Sequence, residues 1–247
     1  MSDGLTVQFV GSGDAFGSGG RLQACISVRS ASAHVLLDCG ATSLVGLKRL
    51  GLDASSIDAV VVSHLHGDHF GGLPFLVLDQ QFARRERDLV VAGPPGLDAR
   101  LVAAQEVLFP GSSSVSRRFQ VRVLELPERA PSMLVPGVEV TGVPVCHPSG
   151  APAYGLRLAC DGRTIGFSGD TEWTDALLEI AAQADLFVCE AYTLDTPVKY
   201  HLSLSALEAH WSRLSCRRLV LTHLGPRMLE HPRAEMAADG LTIRLDD

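Results

Sequence analysis

The chain has 247 residues, of which 46% are hydrophobic and 20% charged, so it has enough apolar material for a sizeable buried core. Its formal net charge of -7 does not indicate a basic surface that binds a long phosphate backbone, although an acidic protein can still carry a local basic patch. No stretch approaches the roughly 18 apolar residues of a membrane span, and the first residues lack the basic start and apolar core of a signal peptide. We therefore expect a cytoplasmic protein with no membrane association.

Short apolar runs rich in Val, Ile and Leu alternate with helical patterns along the chain, which indicates an α/β protein. The apolar runs predict strands at 6–10, 34–38, 58–63, 88–92, 120–125, 138–145, 153–160, 163–168, 185–190 and 218–222. The helical patterns, bounded by capping and turn residues, predict helices at 42–50, 72–86, 97–108, 174–183 and 203–214. The segments 110–116 and 127–137 are loops by composition. Because no repeat or linker interrupts this pattern, we expect residues 1–247 to form one domain.

The six cysteines are scattered along the chain without a CxxC pair. Several of them lie inside apolar, strand-like runs, which favours buried thiols over disulfides or metal ligands. They are Cys25, Cys39, Cys146, Cys160, Cys189 and Cys216.

The run IDAVVVSHLHGDHFGG at 57–72 contains the highest concentration of potential metal ligands in the sequence. A β-branched strand ends, and His64, His66, Asp68 and His69 follow within six residues. Imidazole nitrogen and carboxylate oxygen are the ligands that zinc and similar cations prefer, and Gly67 lets the backbone turn tightly between them. The alternative is a solvated polar turn, but the mutual repulsion of these groups when protonated would then destabilise the chain. The spacing therefore predicts one cation at the first two histidines and a second nearby.

The HLHGDH motif resembles the signature of the metallo-β-lactamase superfamily, and the other signatures follow in order. VPVCHP places His147 as the third histidine of the first metal site, FSGDT places Asp170 as the carboxylate that bridges both cations, and VLTHLGP places His223 in the second site. A single histidine at a strand end is more often structural than a ligand, but here each follows an apolar strand and precedes a turn. The resemblance implies a four-layer αβ/βα sandwich, with two mixed sheets and helices on the outer faces. It also implies a metal set of His64, His66, Asp68, His69, His147, Asp170 and His223.

Two further segments match positions of the superfamily. LLDCG at 36–40 places Asp38 beneath the site, where it orients a metal-binding histidine by accepting its second ring N–H; the alternative is a strand-end or helix-capping aspartate. The loop GSGDAFGSGG at 11–20 lacks the GxxxxGK[ST] pattern of a nucleotide-phosphate cradle. It resembles instead the first strand-to-strand loop of ribonuclease Z-like members, which lies near the metals.

LFVCEAY at 186–192 and KYHLSLSALEAHW at 199–211 resemble paired motifs of the ribonuclease Z-like, phosphodiesterase branch. The matching residues are Glu190 and His201. The resemblance implies that His201 protonates the departing oxygen, that Glu190 steadies it, and that Asp68 accepts a hydrogen bond from the nucleophile as well as binding metal. The alternative is a surface histidine beside a helix and a strand-end carboxylate.

These motifs predict a binuclear metal-dependent hydrolase, with two divalent ions activating a bridging hydroxide. The preferred substrate is a small phosphodiester or a cyclic nucleotide. The same metal site also suits a lactone, thioester or other carboxyl ester, and a non-catalytic metal-bound binding module is a third hypothesis. Zinc is the expected metal, while manganese and iron tolerate the same ligands.

Only 22 residues separate His147 from Asp170, which leaves no room for the long arm with which ribonuclease Z grips transfer RNA. Together with the acidic net charge, this predicts a small-molecule substrate and makes transfer RNA an unlikely one. A homodimer is left open. We interpret His34, His210 and His231 as surface or core residues, and Trp173 either faces the pocket or packs against the next helix.

Overall fold

The computed structural model describes residues 4–230 and 234–246. Numbered in chain order, the strands of these residues are β1 (Leu5–Gly11), β2 (Cys25–Arg29), β3 (His34–Leu37), β4 (Ala59–Val61), β5 (Leu89–Gly93), β6 (Val121–Glu125), β7 (Pro131–Val135), β8 (Val138–Pro144), β9 (Tyr154–Cys160), β10 (Arg163–Phe167), β11 (Leu186–Glu190), β12 (Leu219–Thr222) and β13 (Thr242–Leu245). The α-helices are α1 (Ser43–Arg49), α2 (Gly67–Phe70), α3 (Leu73–Phe82), α4 (Leu97–Leu108), α5 (Ala176–Ala181), α6 (Leu204–Glu208) and α7 (Pro226–Glu230).

The strands form two mixed sheets. The first has the order β13-β1-β2-β3-β4-β5-β6, with β3 to β6 running parallel. The second has the order β12-β11-β10-β9-β8-β7, with β10, β11 and β12 running parallel. Because β9 is antiparallel to both β8 and β10, β8 points the same way as β10. The carboxyl ends of β8, β10, β11 and β12 therefore lie at one edge of the second sheet.

The two sheets pack face to face through alternate strand residues, which is why nearly every strand carries an apolar side chain on its inner face. Val7, Val35, Leu156, Ile165 and Val188 belong to this buried layer. On the outer face of the first sheet, a second buried cluster includes residues of α1, α3 and α4, namely Leu47, Leu76 and Leu101. A third cluster covers the second sheet with residues of α5, α6 and α7, namely Leu177, Leu204 and Met228. The predicted four-layer sandwich is confirmed.

The predicted strands correspond to observed strands within a few residues, but three observed strands were missed. The strand β7 lies inside the segment predicted as the loop 127–137; it is the edge strand of its sheet, where Pro131 removes no needed ladder hydrogen bond. The strand β13 is likewise an edge strand, with alternate residues exposed. The strand β2 is short and contains the buried polar Ser27. The strands β7 and β13 have few buried apolar residues, and β2 has a polar residue at its centre, so none of the three forms a long apolar run in the sequence.

Two predicted helices are shorter than expected. The helix predicted at 72–86 ends at Phe82, and Arg84 then adopts a left-handed backbone with φ 57°, which a continuing helix does not allow. The helix predicted at 203–214 consists of α6 and a separate 3-10 turn at Trp211–Arg213.

All six cysteines are free thiols, and four are buried. Within the described ranges, no helix is long and apolar enough to cross a membrane.

Candidate metal centre

The candidate site lies where strand ends of both sheets meet. The first sheet contributes the segment after β4, which turns through Ser63 to Leu65 and into α2. The second sheet contributes His147 after β8, Asp170 after β10 and His223 after β12. Tyr154 N donates to Ser63 O at 2.9 Å, so a backbone hydrogen bond joins the two sheets directly beside the site. Residues that are far apart in the sequence thus meet at one edge of the sandwich.

The first ligand group consists of His64, His66 and His147, whose ring nitrogens lie within 4.8 Å of one another. His147 Nε2 lies 3.0 Å from His66 Nδ1. His64 and His147 are buried, while His66 is partly exposed on the open side. Burial is the largest cause that lowers the pKa of His64 well below its usual value, and the neighbouring His69 adds to this effect. A neutral imidazole is the form that binds a cation.

The second ligand group consists of Asp68, His69, Asp170 and His223. His69 Nε2 lies 3.3 Å from Asp68 Oδ2 and 3.2 Å from Asp170 Oδ1. His223 Nε2 lies 3.4 Å from Asp68 Oδ2 and 3.4 Å from Asp170 Oδ2. Asp170 Oδ2 also lies 3.9 Å from His64 Nε2, so this carboxylate stands between the two groups. Burial alone would raise the pKa of Asp170, but His223 and His69 outweigh it and hold that pKa well below its usual value.

Hydrogen bonds from the far side of the rings orient the histidines. His69 Nδ1 lies 2.6 Å from Asp38 Oδ2, as the sequence predicts for Asp38. The same carboxylate accepts from Ser63 N at 2.7 Å and from Ser63 Oγ at 2.8 Å, and that hydroxyl lies 3.1 Å from His64 Nδ1. His147 Nδ1 donates to the carbonyl of Tyr200 at 2.9 Å. With each Nδ1 carrying the proton, the three Nε2 atoms are free to bind a cation.

The donor set fits divalent cations. His64 Nε2, His69 Nε2 and Asp170 Oδ1 are buried and make no hydrogen bond within the described part of the chain. Buried polar atoms without partners are rare because each loses its hydration without compensation. Here all three point into one cluster of nitrogen and carboxylate oxygen atoms, which is the chemistry of a zinc, manganese or iron site. These residues can therefore hold a metal ion in each group, with Asp170 reaching both.

Glu190 and His201 face this cluster. His201 Nδ1 lies 3.1 Å from Glu190 Oε2 and 3.9 Å from Asp170 Oδ2. The His201 ring is stacked on the His223 ring, with centroids 5.7 Å apart and planes 12° apart. Burial, followed by the charge of Asp170, raises the pKa of Glu190 well above its usual value. The interpretation of His201 as a surface residue that only flanks a helix is wrong.

Sequence reasoning missed several groups that shape the site. Tyr192 is the last residue of the LFVCEAY motif that contains Glu190, and its ring centroid lies 5.1 Å from that of His201 and 6.1 Å from that of His223. The signal that could have identified it is an aromatic residue two positions after Glu190. The Tyr200 carbonyl and the backbone N–H of Thr171, which donates to Glu190, could not be found in this way. Backbone groups are present at every position and leave no mark in a sequence.

Trp173, His34 and His210 have partners outside the two ligand groups. Trp173 packs against His210, with ring centroids 4.0 Å apart and planes 13° apart. His34 is buried between Ser27 and Ser56, whose hydroxyl oxygens lie 2.9 Å and 2.8 Å from its ring nitrogens. His231 lies outside the described residues.

Comparison with known proteins gives a family and a fold. A family model described as "Anti-Pycsar protein Apyc1" matches residues 5–242. A curated ribonuclease Z of Mycobacterium bovis is 26% identical over 260 residues, which cover 95% of this chain and 92% of that protein. The crystal structure of human tRNase Z, short form, is similar with a TM-score of 0.81 and 24% identity, covering 98% of this chain and 100% of that one. The metallo-β-lactamase fold protein YhfI of Bacillus subtilis has a TM-score of 0.78 and 18% identity, with 98% and 100% coverage.

These similarities confirm the metallo-β-lactamase fold and the resemblance to ribonuclease Z, but they contradict the exclusion of transfer RNA. The match to the curated ribonuclease Z covers 92% of that relative, so the chain spans nearly its whole length despite the short interval between His147 and Asp170. That interval contains β9 and β10 and no additional segment. An acidic net charge is also a weak argument, because it averages over the whole surface. The prediction that transfer RNA is an unlikely substrate is therefore wrong.

Proposed function

The chain belongs to the anti-Pycsar protein Apyc1 family, and its strand ends gather seven side chains that could bind metal. We propose that it is a binuclear metal-dependent phosphodiester hydrolase. The substrate that we propose is a cyclic nucleotide or another small phosphodiester. The names of its ribonuclease Z relatives support phosphodiester chemistry, since a ribonuclease cleaves phosphodiester bonds. They also make a transfer RNA precursor a second substrate to test.

The position of His201 carries this proposal. Its Nδ1 is held by Glu190 at 3.1 Å, which leaves Nε2 as the nitrogen that can donate a proton to a departing oxygen. Its ring lies 5.0 Å from that of His147 and 5.7 Å from that of His223, one residue from each metal group. The departing alkoxide of a phosphodiester is a poor leaving group unless it is protonated. The metal ligands do not supply that proton, so a separate donor is needed. A general acid beside two metal groups therefore supports phosphodiester cleavage.

The other side chains hold the geometry. His64, His66 and His147 would hold one ion, Asp68, His69 and His223 the other, and Asp170 both. Two bound ions would lower the pKa of water toward neutrality and neutralise the oxygens of a phosphate. Asp68 Oδ2 lies 3.3 Å from His69 Nε2 and 3.4 Å from His223 Nε2, and we assign it the further role of accepting a hydrogen bond from the attacking water. Zinc suits this mixed nitrogen and oxygen set, and metal analysis of the purified protein checks its identity.

The proposal is tested by assaying the metal-loaded protein in parallel on a 3′,5′-cyclic nucleotide, bis(p-nitrophenyl) phosphate, a transfer RNA precursor and a lactone. We expect hydrolysis of phosphodiesters, abolished by a chelator and restored by zinc or manganese. His64→Ala is the control for contaminating hydrolases, since it removes a buried ligand of the first group. Turnover of the lactone without any phosphodiester would overturn the proposal in favour of a carboxyl-ester hydrolase. Binding of phosphorylated ligands without turnover would indicate a binding module.

A further inference from the structure

The loop between β1 and β2 carries an exposed aromatic side chain on a backbone held by hydrogen bonds. Phe16 at its tip is 85% exposed. The buried carboxylate of Asp14 accepts hydrogen bonds from Phe16 N at 3.2 Å, Ser18 N at 2.8 Å and Ser18 Oγ at 2.6 Å. Gly17 N also donates to Asp14 O at 3.3 Å. The loop around Phe16 is therefore held by its own hydrogen bonds, while the ring itself is left uncovered.

This loop lies against the metal centre. His223 N donates to Ser12 O at 3.2 Å, which joins the start of the loop to a ligand of the second group. Gln23 Nε2 donates to Ala15 O at 3.0 Å, one residue before Phe16. Gln23 and the backbone of Asp68 are neighbours, because a Cβ placed on Gly40 would lie 2.8 Å from Gln23 Cβ and 2.2 Å from Asp68 O. The tip of the loop is thus anchored on the Asp68 side of the site.

The other side of the loop is joined to Tyr192 through the start of α7. A Cβ placed on Gly19 would lie 2.7 Å from Leu229 Cδ1 in α7, and Gly225 N, just before α7, donates to Tyr192 O at 3.0 Å. Tyr192 in turn lies beside His201 and His223. The loop tip is therefore placed between the Asp68 segment and the Tyr192 segment, at the rim of the site.

Exposure alone says little, because single apolar side chains are common on protein surfaces. Phe82 is 77% exposed as well, but it stands at the far end of α3, about 15 Å along the helix axis from Gly72 beside the site. Phe16 differs in that its loop is braced by a buried carboxylate and tied to two metal-binding segments. An uncovered ring on a braced loop at the rim of a site is suited to stack on a flat ligand.

We propose that Phe16 is a specificity-determining residue that stacks on the nucleobase of the substrate. The inference rests on the proposed function, in which the substrate is a nucleotide phosphodiester. Stacking on a phenyl ring tolerates every base, because each base has a π-face. Phe16 then favours nucleotides over phosphodiesters without a base, and it does not choose among the bases.

The test compares wild type, Phe16→Ala and Phe16→Trp on a 3′,5′-cyclic nucleotide and on methyl p-nitrophenyl phosphate, which has no base. For Phe16→Ala we expect KM for the cyclic nucleotide to rise about tenfold with kcat little changed, as a lost base stack implies. KM for methyl p-nitrophenyl phosphate stays at the wild-type value, and Phe16→Trp restores nucleotide binding. Phe82→Ala is the matched control, an exposed phenylalanine outside the site, and it leaves both substrates unaffected.

A binding measurement separates this inference from the proposed hydrolase function. Calorimetry on the metal-loaded protein gives Kd for a nucleoside monophosphate and for ribose 5-phosphate, whether or not any phosphodiester is turned over. Phe16→Ala should weaken the nucleoside monophosphate about tenfold and leave ribose 5-phosphate unchanged. Equal effects on both ligands, or none on either, would overturn the role of Phe16. Absence of turnover with intact, Phe16-dependent nucleotide binding would overturn the hydrolase function alone.

Discussion

His201 Nδ1 lies 3.1 Å from Glu190 Oε2, and Glu190 is completely buried. The other oxygen of Glu190 accepts a hydrogen bond from the backbone of Thr171, the residue after Asp170. The proposed proton donor is thus tied through the Glu190 carboxylate to the loop that carries Asp170, the candidate ligand that lies between the two groups. A change in that loop would move the proton donor and the metal ligand together.

Replacing His201 with alanine should lower kcat on the best phosphodiester about 10²- to 10⁴-fold, the usual contribution of a general acid. Metal content should stay at the wild-type level, because both ligand groups retain their own side chains. Steady-state kinetics and metal analysis of the same preparation provide the two measurements. His210→Ala is the control, since His210 packs against Trp173 and lies 3.3 Å from Arg213 Nη1, outside both ligand groups. Unchanged kcat in His201→Ala would contradict the role assigned to it.

Replacing Asp38 with asparagine should weaken metal binding about 10- to 100-fold, because the hydrogen bond that orients His69 loses its charged acceptor. The substitution keeps the shape of a completely buried side chain, so the fold should persist. Metal affinity is measured by competition with a chelator, and circular dichroism monitors folding. The exposed Asp195→Asn variant is the control. Wild-type metal affinity in Asp38→Asn would show that His69 is oriented by packing alone.

Acid should destabilise the protein partly through His34. Burial, aided by the charge of Arg29 and opposed by Asp53, lowers the pKa of His34 from 6.5 to about 4. The unfolded chain therefore binds a proton that the folded chain does not between these values. Above pH 6.5 neither state is protonated at His34, so this residue does not lower the free energy of unfolding. As the pH falls from 6.5 toward about 4, uptake of the proton by the unfolded chain lowers the free energy of unfolding by on the order of 3 kcal/mol.

The measurement is the free energy of unfolding in urea at several pH values for wild type and His34→Gln. The metal ligands titrate equally in both proteins, so the difference between the two curves isolates His34. We expect the wild type to lose more stability than the variant between pH 6.5 and 4. Parallel curves would mean that His34 keeps its ordinary pKa in the fold.

Removing the metals should lower the unfolding temperature by about 10 °C. At a free ion concentration about 1,000 times Kd, metal binding stabilises the folded state by about 4 kcal/mol. The buried nitrogen and oxygen atoms of the two groups then lose the partner that compensates their burial. Differential scanning calorimetry with and without a chelator measures the shift. Asp170→Asn, which disturbs both groups, should show a much smaller shift. An equal response of both proteins would place the stabilising metal elsewhere.

The sequence by itself determined the α/β architecture and identified the residues that could bind metal. His64 to His69 are adjacent in the chain, so their convergence needs only one turn, and His147, Asp170 and His223 each follow an apolar strand. Long buried strands such as β8 and β9 leave a clear apolar pattern. Short edge strands such as β7 and β13 do not, because one of their faces is exposed to water.

Only the tertiary structure decided that Glu190 and His201 face the metal centre, that the Tyr200 carbonyl orients His147, and that the Phe16 loop reaches the rim of the site. These relationships depend on backbone atoms and on loops brought together by the packing of two sheets. Backbone atoms leave no local pattern of residue types, and the motifs around Glu190 and His201 do not by themselves say where the two side chains point. The short interval between His147 and Asp170 led to the wrong prediction about transfer RNA for a similar reason. The number of residues between two positions does not describe the surface that the folded chain presents to a substrate.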